Sequence, residues 1–474
     1  MKNKCLMRVS VCAMCATVLL STTVSASIGR TDYVVDDRGK VSLPSCYIPE
    51  KRIERVYEGS YLNAPRNIFI DDSDNLYVAD SGNNRIAVFD SEMNFTSEFS
   101  AGGTLSEPSG AYYDSENSLL YVADTANERV VVLDKDDKVV KEFKKPESDL
   151  LDENLRFNPS NIALGRQGYL YVLKGQYFMQ VSQNGEFKGF VGSTKVGASF
   201  ISMLIRRFAS KKQKEQLVSE QPRSYLNFTM SNDGVIYAVA STNTAQIRKI
   251  NMVGDNLYPE KFYGERVQDV SGKYVNPNFI SIAVSNDGII SVLEENSKKI
   301  YQYSQEGVML NVFGGEGEVS GFFTTPVSIA TDSAGSIYVA DSSQNSVLRV
   351  TRTAFSSAVY RAQTAYDKGD YEEAYKLYSD AGRLDPNYSV LNNGIAKCLY
   401  KMDRTEEAAA AYKSAGNREG VGDMNTELRS VFMKKYFGPI CLAAALVIAA
   451  IIITVKKLKK YTDKLVRKYY RLDE

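Results

Sequence analysis

Short runs of apolar residues alternate with polar turn residues along most of the chain, up to Val350. One motif, an apolar residue followed by Tyr-Val-Ala-Asp, occurs at 76–80, 120–124 and 337–341. Looser copies of the motif occur at 170–173, 236–239 and 290–293. Each copy predicts one β-strand, because short apolar runs bounded by turn residues are typical of strands. Six copies at intervals of roughly 44 to 66 residues predict a repeat architecture, such as a propeller or a solenoid.

Further runs that are typical of strands flank each copy of the motif. In the first repeat, 68–70 precedes the motif and 85–89 follows it. A fourth run ends in phenylalanine, as at Phe99 and Phe143. Glycines that suit tight turns lie three residues before the tyrosine position in four repeats: Gly168, Gly234, Gly288 and Gly335. The pattern predicts six sheets of four antiparallel strands, which bury both faces when they pack around a common axis.

The first repeat resembles the NHL repeat. The resemblance rests on the spacing of these positions: Pro65, Ile68, Asp71, the 76–80 motif, Arg85 and Asp90. The second repeat carries the same pattern over 108–134 and the sixth over 326–350, whereas the third, fourth and fifth lack the Asp and Arg signature. The resemblance implies an all-β, six-bladed propeller over about 50–352.

The sixth repeat ends after its third strand, at Val350. Segment 52–59, just before the first repeat, has the composition of the missing fourth strand. We expect it to pair with the sixth repeat and close the ring, which would leave no open sheet edge.

Composition excludes several kinds of chemistry. The chain has no histidine, so it lacks Ser-His-Asp and Cys-His catalytic groups, histidine-ligated metals and the usual neutral-pH base. Fifty-seven basic residues balance 57 acidic ones, and this gives no indication of nucleic-acid binding. We predict no catalytic residue, no metal site and no cofactor.

Aspartates and arginines recur at matching places in the repeats and could suggest a site. The recurring residues are Asp80, Asp124 and Asp341, with Arg85 and Arg129, and a second acidic set, Asp71, Asp114 and Asp332. Because the same residue returns in each repeat, we predict that these side chains satisfy turn amides and neighbouring strands.

The N-terminus predicts an exported protein. Residues 1–26 combine a basic start, an apolar core and small residues before a cleavage point, as in a secretory signal peptide. We predict a polar, irregular linker over 27–49.

Segment 192–222 interrupts the repeats and could form a helix, which either touches a membrane or acidic partner or only caps a blade. Cys46 and Cys398 are the cysteines left in the exported part, so no disulfide framework is indicated.

After Val350 the apolar period becomes helical. Small and aromatic residues recur 34 residues apart, as Ala374, Tyr378 and Ala381 and then Ala408, Tyr412 and Ala415. The segment 355–420 is similar to two tetratricopeptide (TPR) repeats, that is, two helical hairpins. Asp403 departs from the pattern, because Gly369 stands at the matching place in the first unit. We expect 421–436 to form a capping helix.

The resemblance to TPR repeats implies a groove on one side of the helices. The groove positions are Val359, Gln363, Tyr366, Asn393, Lys397 and Tyr400. Such grooves commonly hold a peptide or a helix of a partner. The alternative is a short array that only spaces the propeller from the membrane.

The C-terminal segment predicts one membrane span. Residues 437–455 carry no charge and are long enough to cross a bilayer. A basic tail follows at 456–474, which places it in the cytoplasm by the positive-inside rule. We therefore expect a single-pass protein of a bacterial cell surface, with the propeller and helical repeats outside.

These observations favour a membrane-tethered binding or scaffold protein. In this hypothesis the propeller presents a surface to a glycan, peptide or protein, and the TPR groove engages a partner of an envelope or uptake complex. One alternative is a calcium-dependent propeller hydrolase or lyase, as some relatives of this propeller are, which needs acidic and amide ligands converging on the central channel, or histidines. A second alternative is a purely structural stalk.

Overall fold

The computed structural model describes residues 32–36, 39–148, 151, 154–175, 177–192, 224–231, 233–252, 254–268 and 271–470. The predicted signal peptide, most of the 192–222 insertion and the last four residues lie outside the described residues. The described chain forms a six-bladed β-propeller followed by five α-helices. The predicted fold class is confirmed.

Each blade is an antiparallel sheet whose strands follow one another in sequence from the axis outward. Blade 1 contains β6 (Pro65–Ile70), β7 (Leu76–Asp80), β8 (Arg85–Phe89) and β9 (Phe95–Phe99). Blade 2 contains β10 (Pro108–Asp114), β11 (Leu119–Asp124), β12 (Arg129–Leu133) and β13 (Val139–Phe143). Blade 3 contains β14 (Asn161–Leu164), β15 (Leu170–Lys174), β16 (Tyr177–Val181) and β17 (Phe187–Phe190).

The remaining blades vary this plan. Blade 4 contains β18 (Tyr225–Met230), β19 (Ile236–Ala240) and β20 (Ile247–Ile250). A short hairpin, β21 (Val267–Gln268) and β22 (Tyr274–Val275), lies in the connection to blade 5. Blade 5 contains β23 (Phe279–Val284), β24 (Ile290–Glu294), β25 (Lys299–Tyr303) and β26 (Met309–Gly314). Blade 6 contains β27 (Pro326–Thr331), β28 (Ile337–Asp341) and β29 (Ser346–Arg352).

The uniformly apolar motif is explained by the packing of the blades. In β7, Leu76 and Val78 pack in a cluster with blade 6, whereas Tyr77 and Ala79 pack in a cluster with blade 2. Successive side chains of a strand point to opposite faces, so a strand between two blades buries both sets. Alternation of apolar with polar residues, typical of a sheet with one wet face, is therefore absent from this motif.

Residues N-terminal to the first blade differ from the predicted irregular linker. Strands β1 (Asp32–Asp36) and β2 (Gly39–Leu43) form a hairpin that adds to the outer edge of blade 5. Strand β3 (Tyr47–Ile53) pairs with β29 and closes blade 6. The ring is closed as expected, but by 47–53 and not by 52–59. The short strands β4 (Arg55–Tyr57) and β5 (Ser60–Tyr61) follow as a separate hairpin.

The five helices begin directly after β29. They are α1 (Ala354–Asp367), α2 (Tyr371–Gly382), α3 (Ser389–Lys401), α4 (Thr405–Ser414) and α5 (Arg418–Tyr470). Helices α1 to α4 form two hairpins, and the turns between their helices contain Gly369 and Asp403, both with positive φ. Aspartate tolerates this left-handed conformation better than most residues, so Asp403 can replace glycine in the second hairpin.

The helices share one hydrophobic core with the propeller. Phe355, Val359 and Tyr388 belong to the same buried cluster as Leu310 and Phe313 of blade 5. The Tyr388 hydroxyl also donates a hydrogen bond to the Leu310 carbonyl oxygen. The first hairpin therefore packs on the propeller, and it is not an independent module on a flexible linker.

Substituting a buried glycine tests the close packing of the two hairpins. In α3, a Cβ atom at Gly394 would lie 2.6 Å from the Tyr378 ring of α2. We expect Gly394→Ala to lower the free energy of unfolding by about 1–3 kcal/mol, because the packed ring must move. The matched control is Gly382→Ala in α2, where a Cβ atom would meet nothing within 4 Å and should be neutral or stabilising. Urea unfolding followed by circular dichroism measures both, and equal effects would contradict the close approach.

Candidate functional site

The first candidate is the set of recurring acidic residues in the propeller. Asp71 accepts hydrogen bonds from the backbone N–H groups of Ser73 and Asn75 and from the Tyr77 hydroxyl. Asp114 makes similar turn contacts to Glu116 and to the side chain of Asn117 in blade 2. These carboxylates hold the turns between the first two strands of their blades, as the predicted structural role requires.

The second recurring set holds a different turn. Asp80 is fully buried. Its carboxylate accepts a hydrogen bond from the backbone N–H of Asn63 and forms an ion pair with Arg85 at 2.8 Å. In blade 2, Asp124 accepts a hydrogen bond from the backbone N–H of Ser106 and forms an ion pair with Arg129 at 2.7 Å. Each pair ties the connection between two blades to the second strand, so these charges are used within the fold.

The wall of the central channel is lined by amide and hydroxyl side chains near the start of the innermost strands. The Oδ1 atoms of Asn67, Asn161 and Asn227 each accept the N–H of the next residue in the chain. Ser281 Oγ accepts a hydrogen bond from the backbone N–H of Ile329 in the next blade. The Asn161 Nδ2 atom donates a hydrogen bond to Asn227 Oδ1 at 2.7 Å. These contacts satisfy strand edges and connect neighbouring blades.

Acidic residues do not converge in the described part of the chain. No group of three or more cysteine, aspartate or glutamate side chains there is placed to hold a metal ion. The three asparagines and Ser281 described above are neutral, and their oxygen atoms already accept backbone hydrogen bonds.

The predicted groove residues of α1 are buried. Val359 lies in the core shared with the propeller, and Tyr366 is also part of that core. The Gln363 side chain faces α2, because its Oε1 atom accepts a hydrogen bond from the Tyr378 hydroxyl at 2.8 Å. Its Nε2 atom donates to Asp367 at 2.9 Å. Burial raises the pKa of the Asp367 carboxyl group, and the nearby charge of Glu306 adds to this.

The predicted groove residues of α3 are more accessible. Lys397 forms an ion pair with Glu306 in the turn between β25 and β26, and its ammonium group lies 5.7 Å from the centre of the Tyr366 ring. The Asn393 amide oxygen accepts a hydrogen bond from Asn417 at 3.0 Å. Tyr400 is 38 % exposed.

This arrangement corrects the prediction of one open groove formed by all six residues. Val359, Gln363 and Tyr366 are not accessible to a partner, because all three are buried. Gln363 faces Tyr378 of α2, and Tyr366 packs against Tyr371 of α2 and Lys397 of α3. Glu306 of the propeller lies against the helical repeats and contacts Lys397. Nothing in the local sequence around Glu306 marks it as a partner of a lysine 91 residues away.

A partly buried ion pair lies at the joint between the propeller and the helices. Arg352, the last residue of β29, donates two hydrogen bonds to Asp287, at 2.5 and 2.9 Å. Their side chains are only 12 % and 25 % exposed. Burial lowers the pKa of the Arg352 guanidinium group, but the contacts with Asp287 outweigh burial, so its pKa rises. The same contacts lower the pKa of Asp287 despite its burial.

Aromatic side chains complete this joint. The Arg352 guanidinium group lies 4.8 Å from the centre of the Tyr360 ring and donates to the Tyr47 hydroxyl at 3.3 Å. The Gln302 amide also donates to the Tyr47 hydroxyl, at 3.0 Å. Residues from β3, β25, β29 and α1 thus meet around one guanidinium group.

The opposite end of the propeller carries exposed apolar side chains. We call it the loop face: it is formed by the connections from the last strand of one blade to the first strand of the next. Three successive connections there expose large side chains: Tyr274 (65 %), Val319 (71 %), Tyr57 (43 %) and Tyr61 (60 %). The helices contact the turns at Asp287 and Glu306, which lie at the other ends of their strands.

Helix α5 is long and apolar enough to cross a membrane. It contains 53 residues, or about 80 Å at 1.5 Å per residue. Its N-terminal turns pack on α4 through Val421 and Met424. From Val431 to Tyr469 every described side chain is exposed. The predicted capping helix and the predicted span are therefore parts of one continuous helix.

Comparisons with known proteins agree with this architecture. A family model of the NHL repeat matches residues 62–89, and a model of the tetratricopeptide repeat matches residues 365–420. The chain thus combines an NHL-type propeller, TPR repeats and a candidate membrane span. A propeller and TPR repeats in one chain indicate the interaction-scaffold class of protein. No curated protein matches the chain.

The solved structures that match are distant propellers. A streptogramin B lyase is 14 % identical, with 68 % of this chain and 86 % of that chain covered and a TM-score of 0.39. Virginiamycin B lyase from Staphylococcus aureus, in an inactive form with quinupristin, is 15 % identical, covering 69 % and 97 % with a TM-score of 0.41. Hydrazine synthase from Kuenenia stuttgartiensis is 13 % identical, covering 62 % and 96 % with a TM-score of 0.41. These similarities carry no information about the activity of this chain.

Proposed function

We propose that this protein is a membrane-tethered scaffold of a bacterial cell surface, which binds a partner on the loop face of its propeller. In this proposal the helical repeats hold the propeller in a fixed orientation to the membrane. The observation that carries the proposal is the continuous core between blades 5 and 6 and helices α1 to α3.

A fixed orientation would serve a scaffold better than an enzyme on a flexible tether. The core, the Arg352–Asp287 pair and the Lys397–Glu306 pair all oppose rotation of the helices against the propeller. Domains joined by small polar interfaces move by default, whereas large apolar interfaces restrain them. The helices would therefore hold the propeller in a fixed position relative to the membrane span.

The loop face is the most suitable surface for a partner. Its exposed tyrosines present large amphipathic side chains, which are enriched in protein interfaces. It lies at the far end of the blades from the turns that contact the helices, so docking there would not compete with the joint. Tyr400 and Asn393, the accessible residues of the predicted groove, would provide a second contact with a neighbouring envelope protein.

The proposed topology places the propeller outside the cell. Eight basic residues in 456–474, against three acidic ones, favour a cytoplasmic C-terminus by the positive-inside rule. The signal peptide predicted for 1–26 gives the same orientation.

A binding role is also favoured over catalysis, because the acidic residues that recur in the blades are already used in turns and ion pairs.

Photocrosslinking in native membranes tests the proposal. A photoreactive residue placed at Tyr61 or at Tyr274 should capture one discrete partner, identified by mass spectrometry. The matched control is Val140, an exposed residue on the outer strand of blade 2 that lies outside the loop face. A third position, Tyr400, tests the accessible part of the helical repeats.

The outcomes separate the alternatives. Capture at Tyr61 and Tyr274 but not at Val140 would support the loop face as the binding surface. Capture at Tyr400 alone would move the interaction to the helical repeats. Equal background at all four positions would contradict the scaffold and favour the structural stalk.

A further inference from the structure

The last part of α5 extends beyond the apolar span. Residues 437–455 form the span, and the helix then continues without interruption to Tyr470. Five apolar side chains in this extension are strongly exposed: Leu458 (57 %), Tyr461 (64 %), Leu465 (42 %), Val466 (49 %) and Tyr469 (85 %). We call residues 456–469 the tail helix.

Charged and apolar residues of the tail helix occupy separate faces. At about 100° per residue, the five apolar side chains lie within an arc of about 140°. Seven cations lie outside this arc: Lys456, Lys457, Lys459, Lys460, Lys464, Arg467 and Lys468. The one acidic residue, Asp463, also lies outside it. The segment is therefore a basic amphipathic helix. It differs in this from the preceding span, which is apolar on all sides.

We propose that the tail helix binds in the plane of an anionic lipid surface, on the leaflet into which the span leads. Its apolar face would enter the boundary between headgroups and acyl chains, and its lysines would contact lipid phosphates. Basic amphipathic helices with aromatic and leucine side chains bind in this way. The inference rests on the membrane span and does not require the proposed binding of a partner by the propeller.

Continuity with the span favours the membrane as the occupant of the apolar face. The first residue of the tail helix follows the last residue of the span, so the lipid surface is always within reach. If the helix instead continued straight into solvent, Leu465, Val466 and Tyr469 would lie about 15 Å or more beyond the end of the span and would remain in water. The apolar face thus matches the acyl chains of the adjacent lipid in polarity, and the basic face matches anionic headgroups in charge.

Charge also disfavours a second copy of the chain as the occupant. Lys457, Lys464 and Lys468 border one side of the apolar face, and Lys459 borders the other. Pairing two tail helices would bring these like charges together, which is unfavourable. The segment also spans only two heptads, whereas sustained coiled coils need three or four.

A bend is needed for the tail helix to leave the direction of the span, and the sequence contains a suitable position. Thr454 lies one residue before the end of the span, and its Oγ1 atom donates to the Ala450 carbonyl oxygen at 2.8 Å. A hydroxyl bond of this type to the preceding turn often bends a helix. Thr426 and Thr462 make the same bond, but of the three only Thr454 lies at the end of the span, where a bend would fall at the lipid boundary.

The chain has no tryptophan, so a single introduced tryptophan reports its own environment. We would introduce Leu465→Trp on the apolar face and, as the matched control, Lys460→Trp on the basic face. The full-length variants would be placed in nanodiscs that each hold one copy, with either neutral lipid or a mixture containing phosphatidylglycerol. Quenching by lipids with a nitroxide on the acyl chain measures insertion.

We expect Leu465→Trp to emit at shorter wavelength and to be quenched about twofold more in the anionic nanodiscs than in the neutral ones. Lys460→Trp should remain water-exposed in both. Equal, water-like emission from both variants in anionic nanodiscs would overturn the proposal. Shielding of Leu465→Trp only in nanodiscs that hold two copies would also overturn it and identify a second chain as the occupant.

Discussion

Replacing Arg352 by alanine is expected to lower the free energy of unfolding by about 2–3 kcal/mol, because the partly buried Asp287 carboxylate loses its charged partner, although it keeps the hydrogen bond from Ser285. The loss also removes the contact with Tyr360 and the hydrogen bond to Tyr47. Urea unfolding of the detergent-solubilised full chain, followed by circular dichroism, measures the change. Hydrogen exchange should increase first in α1 and at the end of β29.

Two further variants separate geometry from charge. Arg352→Lys keeps the positive charge but cannot form the paired hydrogen bonds, so an intermediate loss is expected. Arg66→Ala removes an exposed ion pair with Glu107, 2.8 Å long, and should leave the unfolding midpoint unchanged. If Arg352→Ala behaved like Arg66→Ala, the joint would not depend on this pair.

Replacing Tyr47 by alanine should lower the free energy of unfolding by about 3–5 kcal/mol, a loss typical of large buried aromatic side chains. Tyr47 is 1 % exposed, and its ring stacks on Phe313 with centroids 4.7 Å apart. It stands at the start of β3, the strand that closes blade 6. The variant should therefore also open the ring, which limited proteolysis between β3 and blade 1 would detect.

Tyr47→Phe is the matched control for the ring-closing role. It keeps the stacked ring and removes the hydroxyl group that accepts hydrogen bonds from Gln302 and Arg352. We expect it to cost about 1 kcal/mol, the usual net value of a hydrogen bond, and to leave the ring closed. Similar losses for the two variants would show that the hydroxyl group, and not ring packing, is the main contribution of Tyr47.

Strong local signals were sufficient to predict the main architecture. The repeated motif predicts strands because its side chains are apolar on both faces, and the turn residues set its boundaries. The small and aromatic residues of the TPR hairpins recur every 34 residues because they pack at equivalent helix contacts, as Ala374, Tyr378 and Ala408 do. These features depend on neighbours in the sequence, so the sequence carries them directly.

Pairing over long distances was predictable only in part: closure of blade 6 by an N-terminal strand was expected, but the strand was placed at 52–59 and not at 47–53. Residues 32–53 contain only scattered apolar residues, and they become strands because blades 5 and 6 offer unpaired edges. The predicted groove was wrong as an open surface for the same reason. Val359 and Tyr366 have the spacing of groove positions, but both are buried in the core that the helices share with the propeller.

The sequence by itself determined the six repeats, their NHL and TPR resemblances and the candidate span, because each follows from local periodicity or length. The tertiary structure alone decided which strand closes the ring, how the helices join the propeller and which surfaces remain exposed. Asp287 and Arg352 are 65 residues apart and carry no local pattern. Only the fold brings them together, since contact between distant residues depends on the path of the whole chain.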